Sequence, residues 1–221
     1  DENLQTIRRI EKSISKIENL SNDSAAPALL RFQFAIYKKD YLKAEMFLQQ
    51  INKLMPQSIE AAVSEIDLLS ARGNLEGVIE KLHLMIKDFP HLVLPVEYLA
   101  NLLASKDLTD EAEKVLQYAI LQNNNPADKR ELVLFLADFY KKSGQTEKEF
   151  KLLSMLSGEI QDDILIKCHL LRCPQITADP NHAQKIVDSI AEITVHNDNI
   201  WRYEQAKLWA VSKAKDMFPQ A

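Results

Sequence analysis

Apolar residues recur along this chain at steps of three and four, and the stripes they draw come mostly in pairs. The first stripe, Ile7, Ile10, Ile14, Ile17 and Leu20, is flanked by Arg8, Arg9, Glu11 and Lys12, the pattern of one amphipathic helix. A turn over Ser21 to Pro27 follows, with Ser and Asp side chains suited to accept from free helix N–H groups. Paired helices are then predicted over about 26–38 and 41–54, 59–71 and 75–88, 94–105 and 109–122, and 129–142 and 146–157. The breaks within pairs are Lys-Lys-Asp, Arg72-Gly73-Asn74, Lys106-Asp107-Leu108 and Ser143-Gly144-Gln145. Met55-Pro56 and Phe89-Pro90 end the first two pairs, because a residue before proline is pushed out of helical geometry.

Placed in register from Ala25, Ile59, Val93 and Arg130, these pairs share columns at spacings of 34, 34 and 37 residues. A turn column reads Lys39, Gly73, Asp107, Gly144, with only the lysine unsuited to a turn. Three inward columns follow: Ala44, Val78, Ala112, Glu149; then Leu48, Leu82, Leu116, Leu153; then Ile51, Met85, Ala119, Leu156. Such a period means stacked units that bury their apolar faces against each other. Projected backward, the three columns fall on Ile10, Ile14 and Ile17, so residues 1–20 read as the second helix of a truncated preceding repeat or as a capping helix. Repeats are expected over 25–58, 59–92, 93–129 and 130–163, in one array over 1–221. A degenerate fifth repeat is expected over 164–197, where Ala183, Val187 and Ile190 keep the columns but Pro174 cuts short a first helix over about 162–172. Residues 198–221 carry a last helix, about 199–217, that caps the stack or opens a further repeat.

The segments containing Leu99, Ala100 and Leu103, and Leu136, Ala137 and Tyr140, with Ala112, Leu116 and Ala119 on a second helix, resemble the tetratricopeptide repeat. Pro56 and Pro90 close their units where that family places its proline. The first two units depart from it: Phe32 and Ile66 replace the usual small residue, and Arg31 and Glu65 the usual large apolar one. The resemblance implies an all-α fold, a right-handed superhelical solenoid of antiparallel helix pairs. It also implies a non-catalytic scaffold whose first helices line a concave groove for a peptide, a helix or a partner domain.

In that family the second, fifth, ninth and twelfth residues of each first helix face the groove. Here these columns are Ala26, Leu29, Gln33 and Ile36; Glu60, Val63, Asp67 and Ser70; Leu94, Glu97, Asn101 and Ala104; Glu131, Leu134, Asp138 and Lys141. Five acids stand against one base, which favours a ligand with basic and apolar groups. Members that grip a carboxylate tail use Lys, Arg and Asn in these columns, and only Asn101 fits. Solvation alone would also place acids on a wet face of an acidic protein, so the charge has a bland reading beside the functional one.

Composition narrows the field further. A formal charge of -5 gives no basic stripe for a polyanion, which argues against nucleic acid, and no stretch reaches the roughly 20 apolar residues that span a bilayer. Cys168 and Cys173 lie five apart on an expected helix, about 140° around its axis, a poor spacing for zinc with His169, His182 or His196. They read as ordinary thiols, with no metal site. His83 and His91 have no nucleophile signature nearby, and the four glycines form no phosphate loop, so the sequence asks for no cofactor and no catalytic residue. Trp201, Tyr203, Trp209 and Phe218 form an aromatic cluster that packs the last helix or offers an end surface for self-association. Few cysteines and Asn/Gln-rich turns suit a bacterial protein, arrays of this kind being frequent in envelope and secretion assemblies. A repeat frame that runs into Ile10, Ile14 and Ile17 at one end and toward Trp201 at the other suits an excerpt of a longer array. The rival to a binding scaffold is a structural or oligomerisation module that positions an enzyme or assembly component outside this chain.

Overall fold

The computed structural model describes residues 2–20, 25–194 and 199–212. It holds thirteen helices and, among the described residues, no strand. The chain divides into two compact units, Asp1–Asn123 and Asn124–Ala221.

The first unit comprises α1 (Glu2–Leu20), α2 (Ala26–Tyr37), α3 (Tyr41–Leu54), α4 (Ile59–Ala71), α5 (Leu75–Asp88), α6 (Val93–Ser105) and α7 (Thr109–Gln122). Each helix packs on its neighbours in the chain, and α2 also on α4. Pro27 pre-sets the start of α2, and the side chains of Asp40, Ser58 and Asn74 accept from the backbone of Lys43, Ala61 and Gly77 to cap α3, α4 and α5.

The turn column has one backbone geometry throughout this unit. Lys39, Gly73 and Asp107 all have positive φ, 57°, 73° and 62°. In each turn the next N–H reaches back five residues, from Asp40 to Ala35, Asn74 to Leu69 and Leu108 to Leu103, at 2.9–3.0 Å. These are Schellman closures, which satisfy the last carbonyls of the first helix. Only the 34-residue register puts Lys39 with the glycines, since lysine by itself carries no turn preference; the tertiary demand for the turn overrides the residue's preference.

The inward columns Ala44, Val78 and Ala112; Leu48, Leu82 and Leu116; and Ile51, Met85 and Ala119 are all buried. The residues that depart from the repeat pattern are accommodated locally. Phe32 is buried among Ala28, Ala35, Ala44 and Ala61, four small side chains that make the room its ring takes up. The Arg31 guanidinium lies 5.9 Å over the ring of Phe47, and Glu65 pairs with Lys81 at 2.9 Å, so each polar side chain on a first helix meets a partner on the second. Successive pairs are tied by the Tyr41 hydroxyl, which donates to the Ala71 carbonyl at 2.9 Å, and by Arg72, which donates to Glu45 at 2.9 Å.

At α1 the backward projection succeeds in one column of three. Ile14 is 5% exposed, but Ile10 and Ile17 are each 37% exposed. The reason is geometric: α1 packs on α2, which covers the centre of its apolar stripe and leaves the flanks open.

The second unit comprises α8 (Pro126–Lys142), α9 (Thr146–Glu159), α10 (Ile164–Leu170), α11 (Pro174–Thr177), α12 (Pro180–Ile193) and α13 (Asn199–Ser212). Gly144 repeats the left-handed turn at φ 73°, with Gln145 N–H donating to Tyr140 at 2.8 Å. Leu153 and Leu156 are buried, and Glu149, at the column held elsewhere by alanine or valine, is buried with them. The short first helix runs over Ile164–Leu170 in place of the expected 162–172, and Pro174 opens a single turn, α11, before Asp179 caps α12. Ala183, Val187 and Ile190 fill the core side of α12, which packs on α13 through two reciprocal amide hydrogen bonds, Gln184 to Gln205 at 2.6 Å and Gln205 to Gln184 at 2.8 Å. The expected last helix is described as far as Ser212; residues 213–217 and Phe218 lie outside the described residues.

Candidate functional site

In the first unit the outward columns of α4 and α6 carry Glu60, Val63 and Asp67, and Leu94, Glu97 and Asn101. Glu60, Asp67 and Asn101 are exposed and Glu97 is half-buried. Between the acids stand two open aliphatic side chains, Val63 at 40% and Leu94 at 75% exposure. Asp67 is exposed by area yet crowded by neighbouring atoms, and that partial desolvation raises its carboxyl above the ordinary range. On α2, Gln33 and Ala26 are exposed while Leu29 and Ile36 lean against the core. These columns of the first unit therefore hold three acids and no base.

The second unit differs. Glu131 and Lys141 are exposed, and Asp138 is half open. Leu134, read from the sequence as a groove residue, is 9% exposed and belongs with the buried residues. The cause is that α8 is enclosed on more than one side: Leu132, Val133, Leu136, Ala137, Phe139 and Tyr140 are buried too, so a column that is open on α4 is covered here. Asp138 faces a partner the sequence did not supply, the Nδ1 of His169 at 3.7 Å. Burial lowers the His169 pKa more than Asp138 raises it, so the contact is mainly that of a carboxylate with a neutral imidazole at pH 7.

Behind this surface lies a group of titratable side chains that sequence reasoning missed as a set. No described residue hydrogen-bonds the Glu149 carboxylate, burial raises its pKa, and Lys141 opposes that shift while Asp138 adds to it. The Cys173 thiol is fully buried and pushed up to about 11 by desolvation, with Glu149 adding to the shift. Its Sγ donates weakly to the His169 carbonyl at 3.7 Å. Cys168 is also buried and its pKa is raised, first by burial and then by Glu204. Both thiols are free. The sequence brought Cys168, Cys173 and His169 together only as poorly spaced zinc ligands; what joins Glu149 to them is its place as a carboxylate in a column of small apolar residues. Among the described residues no group of three or more His, Cys, Asp or Glu side chains is arranged to hold a metal ion.

On α13, Trp201 and Trp209 are half-buried and Tyr203 is exposed, its ring 4.8 Å from the Lys207 ammonium. Lys207 also pairs at 2.9 Å with the buried Glu204. Among the described residues no helix is long and apolar enough to cross a membrane.

No protein-family model matches the sequence, and comparison with curated proteins gives no match. Solved structures do. The chain is similar to one in the structure of Naa15/Naa10 bound to HypK-THB, with a TM-score of 0.55 and 14% identity over 95% of this chain. It spans 32% of that larger chain. It is also similar to YrrB, described as a tetratricopeptide-repeat protein with an unusual peptide-binding site, with a TM-score of 0.47 and 10% identity, covering 87% of this chain and 97% of that one. PilF of Pseudomonas aeruginosa gives 0.49 and 12%, covering 93% and 91%. At such identities the likeness is one of fold. The likeness to the Naa15/Naa10 chain, with the helix pairs, the left-handed turns and the buried columns, shows an all-α helical-repeat fold.

Proposed function

We propose that this chain is a non-catalytic scaffold that binds a protein or peptide along its first helices, and that the first unit selects a ligand bearing basic and apolar groups. One observation carries the reading: on α4 and α6 the outward columns combine Glu60, Asp67 and Glu97 with the exposed side chains of Val63 and Leu94, and contain no base. Acids set beside open aliphatic surface attract a cationic, partly apolar segment and repel an acidic one. The absence of chemistry in this reading is supported by the thiols, which are buried and held in the protonated form, out of a substrate's reach.

A labelled peptide of alternating lysine and leucine tests it by fluorescence anisotropy on the whole chain. Binding should weaken about tenfold, roughly 1.4 kcal/mol, when Asp67 and Glu97 are both exchanged for lysine. Asp138→Lys probes the second unit separately. Affinity that is indifferent to Asp67→Lys and Glu97→Lys would sink the acidic-groove reading.

A further inference from the structure

The second helices of the first unit carry a cleft of opposite electrical character. Between α5 and α7 a space of about 220 Å³ is lined by His83, Ile86 and Lys87 from one helix and Lys114, Val115 and Tyr118 from the other. Its floor is apolar, with Ile86 buried and Val115 half-buried, and its wall is the ring of Tyr118, 52% exposed. Leu121, three residues beyond Tyr118 on the same face of α7, extends this surface and is itself exposed. No acid lines the cleft.

Its three basic side chains stand out in a protein of net charge -5. His83, Lys87 and Lys114 are exposed, and none has an ion pair or side-chain hydrogen bond with a described residue. Lys81, on the same helix, shows the contrast, since it is taken up by Glu65. Lys87 and Lys114 come from different helices, so they flank the opening from both sides. The volume matches about seven waters at the liquid's share of about 30 Å³ each, which is room for one bulky side chain but below the size of sites that enclose a whole small ligand.

We propose that this cleft is a second binding site, for an acidic peptide segment anchored by one large apolar residue. The anchor enters against Ile86, Val115 and Tyr118. Carboxylates before and after it in the peptide meet Lys87 and Lys114, with an imidazole N–H of His83 as a further donor at the rim. The site lies on second helices and shares no residue with the acidic columns of α4 and α6, so a single chain would hold a basic segment on one surface and an acidic one on another.

The test uses the full chain and a fluorescein-labelled peptide of one leucine flanked by glutamates, with two control peptides. One control replaces leucine by glycine, and the other replaces the glutamates by glutamines. Saturable binding of the first peptide is expected, weakened about tenfold or more by Lys87→Glu with Lys114→Glu, several-fold by Tyr118→Ala, and progressively by added salt. The milder Lys114→Ala should weaken it in the same direction, with helical circular dichroism unchanged. Glu97→Lys should leave it intact, which separates this site from the acidic surface. Absence of saturable binding, equal binding of the glutamine-flanked or glycine control, or indifference to the lysine substitutions would overturn the proposal.

Discussion

Arg130, in the first turns of α8, donates from both Nε and Nη2 to the carboxylate of Asp163, the latter at 2.8 Å, while the same carboxylate accepts from the backbone of Leu165 and Ile166 to cap α10. One side chain thus starts a helix and fastens it to another 33 residues earlier in the sequence. The Asp163 carboxylate is mostly buried, and Arg130 holds it below the ordinary carboxylate range.

Removing either partner leaves the other's charge partly buried. Arg130→Ala should therefore cost about 3 kcal/mol in urea unfolding, and Asp163→Ala at least as much, because it also removes the cap. The pH dependence has a definite sign. A carboxylate whose folded pKa is depressed contributes stability that is complete above its unfolded value and is lost as pH falls through the folded one. Arg130→Ala should thus flatten the acid limb of the stability profile.

Glu149 predicts the opposite behaviour. Its folded pKa is raised by burial, so the folded state is penalised when the carboxylate ionises, and the penalty disappears as pH falls through the raised pKa toward the unfolded value. Glu149→Ala, which restores the residue type of Ala44 and Ala112, should raise stability at neutral pH by about 1–3 kcal/mol. The gain should shrink in mildly acidic buffer. An alanine variant less stable than the parent at pH 7 would show that the carboxylate is serving a structural partner.

The left-handed turns offer a comparison within one molecule. A Cβ added at Gly73 or Gly144 would meet nothing within 4 Å, so alanine there costs only backbone strain, about 1 kcal/mol each. Lys39→Gly and Asp107→Gly should shift the thermal midpoint upward, since each relieves a strained positive φ at a modest entropic cost in the unfolded chain.

Cys168 and Cys173 should resist alkylation in the folded protein. Both are buried, and burial holds their pKa values up, that of Cys173 at about 11. Mass spectrometry after iodoacetamide treatment should find both unmodified at neutral pH and both modified in denaturant; rapid labelling of the native chain would contradict their placement.

What the sequence disclosed and what it hid follow from the range of each interaction. Helix pairs and inward columns are set by apolar periodicity, which is local, and Ala44, Leu82 and Leu116 are buried as that periodicity requires. Leu134 misled because its exposure depends on how many neighbours enclose α8, a property of the stack and not of the helix. Lys39 gave no turn signal because lysine carries none, although its backbone does what glycine does at Gly73. The Asp138–His169 contact and the cleft between Lys87 and Lys114 each join side chains from different helices, and a one-dimensional pattern has no column for them.

The neighbour-to-neighbour packing of the first unit, α1 on α2 and so on to α7, also bears on how that unit assembles. Most of its contacts close short loops, so little chain entropy is lost before each new contact repays it. A helix pair that has left the ribosome already has its own partner and can serve as the template on which the following pair condenses.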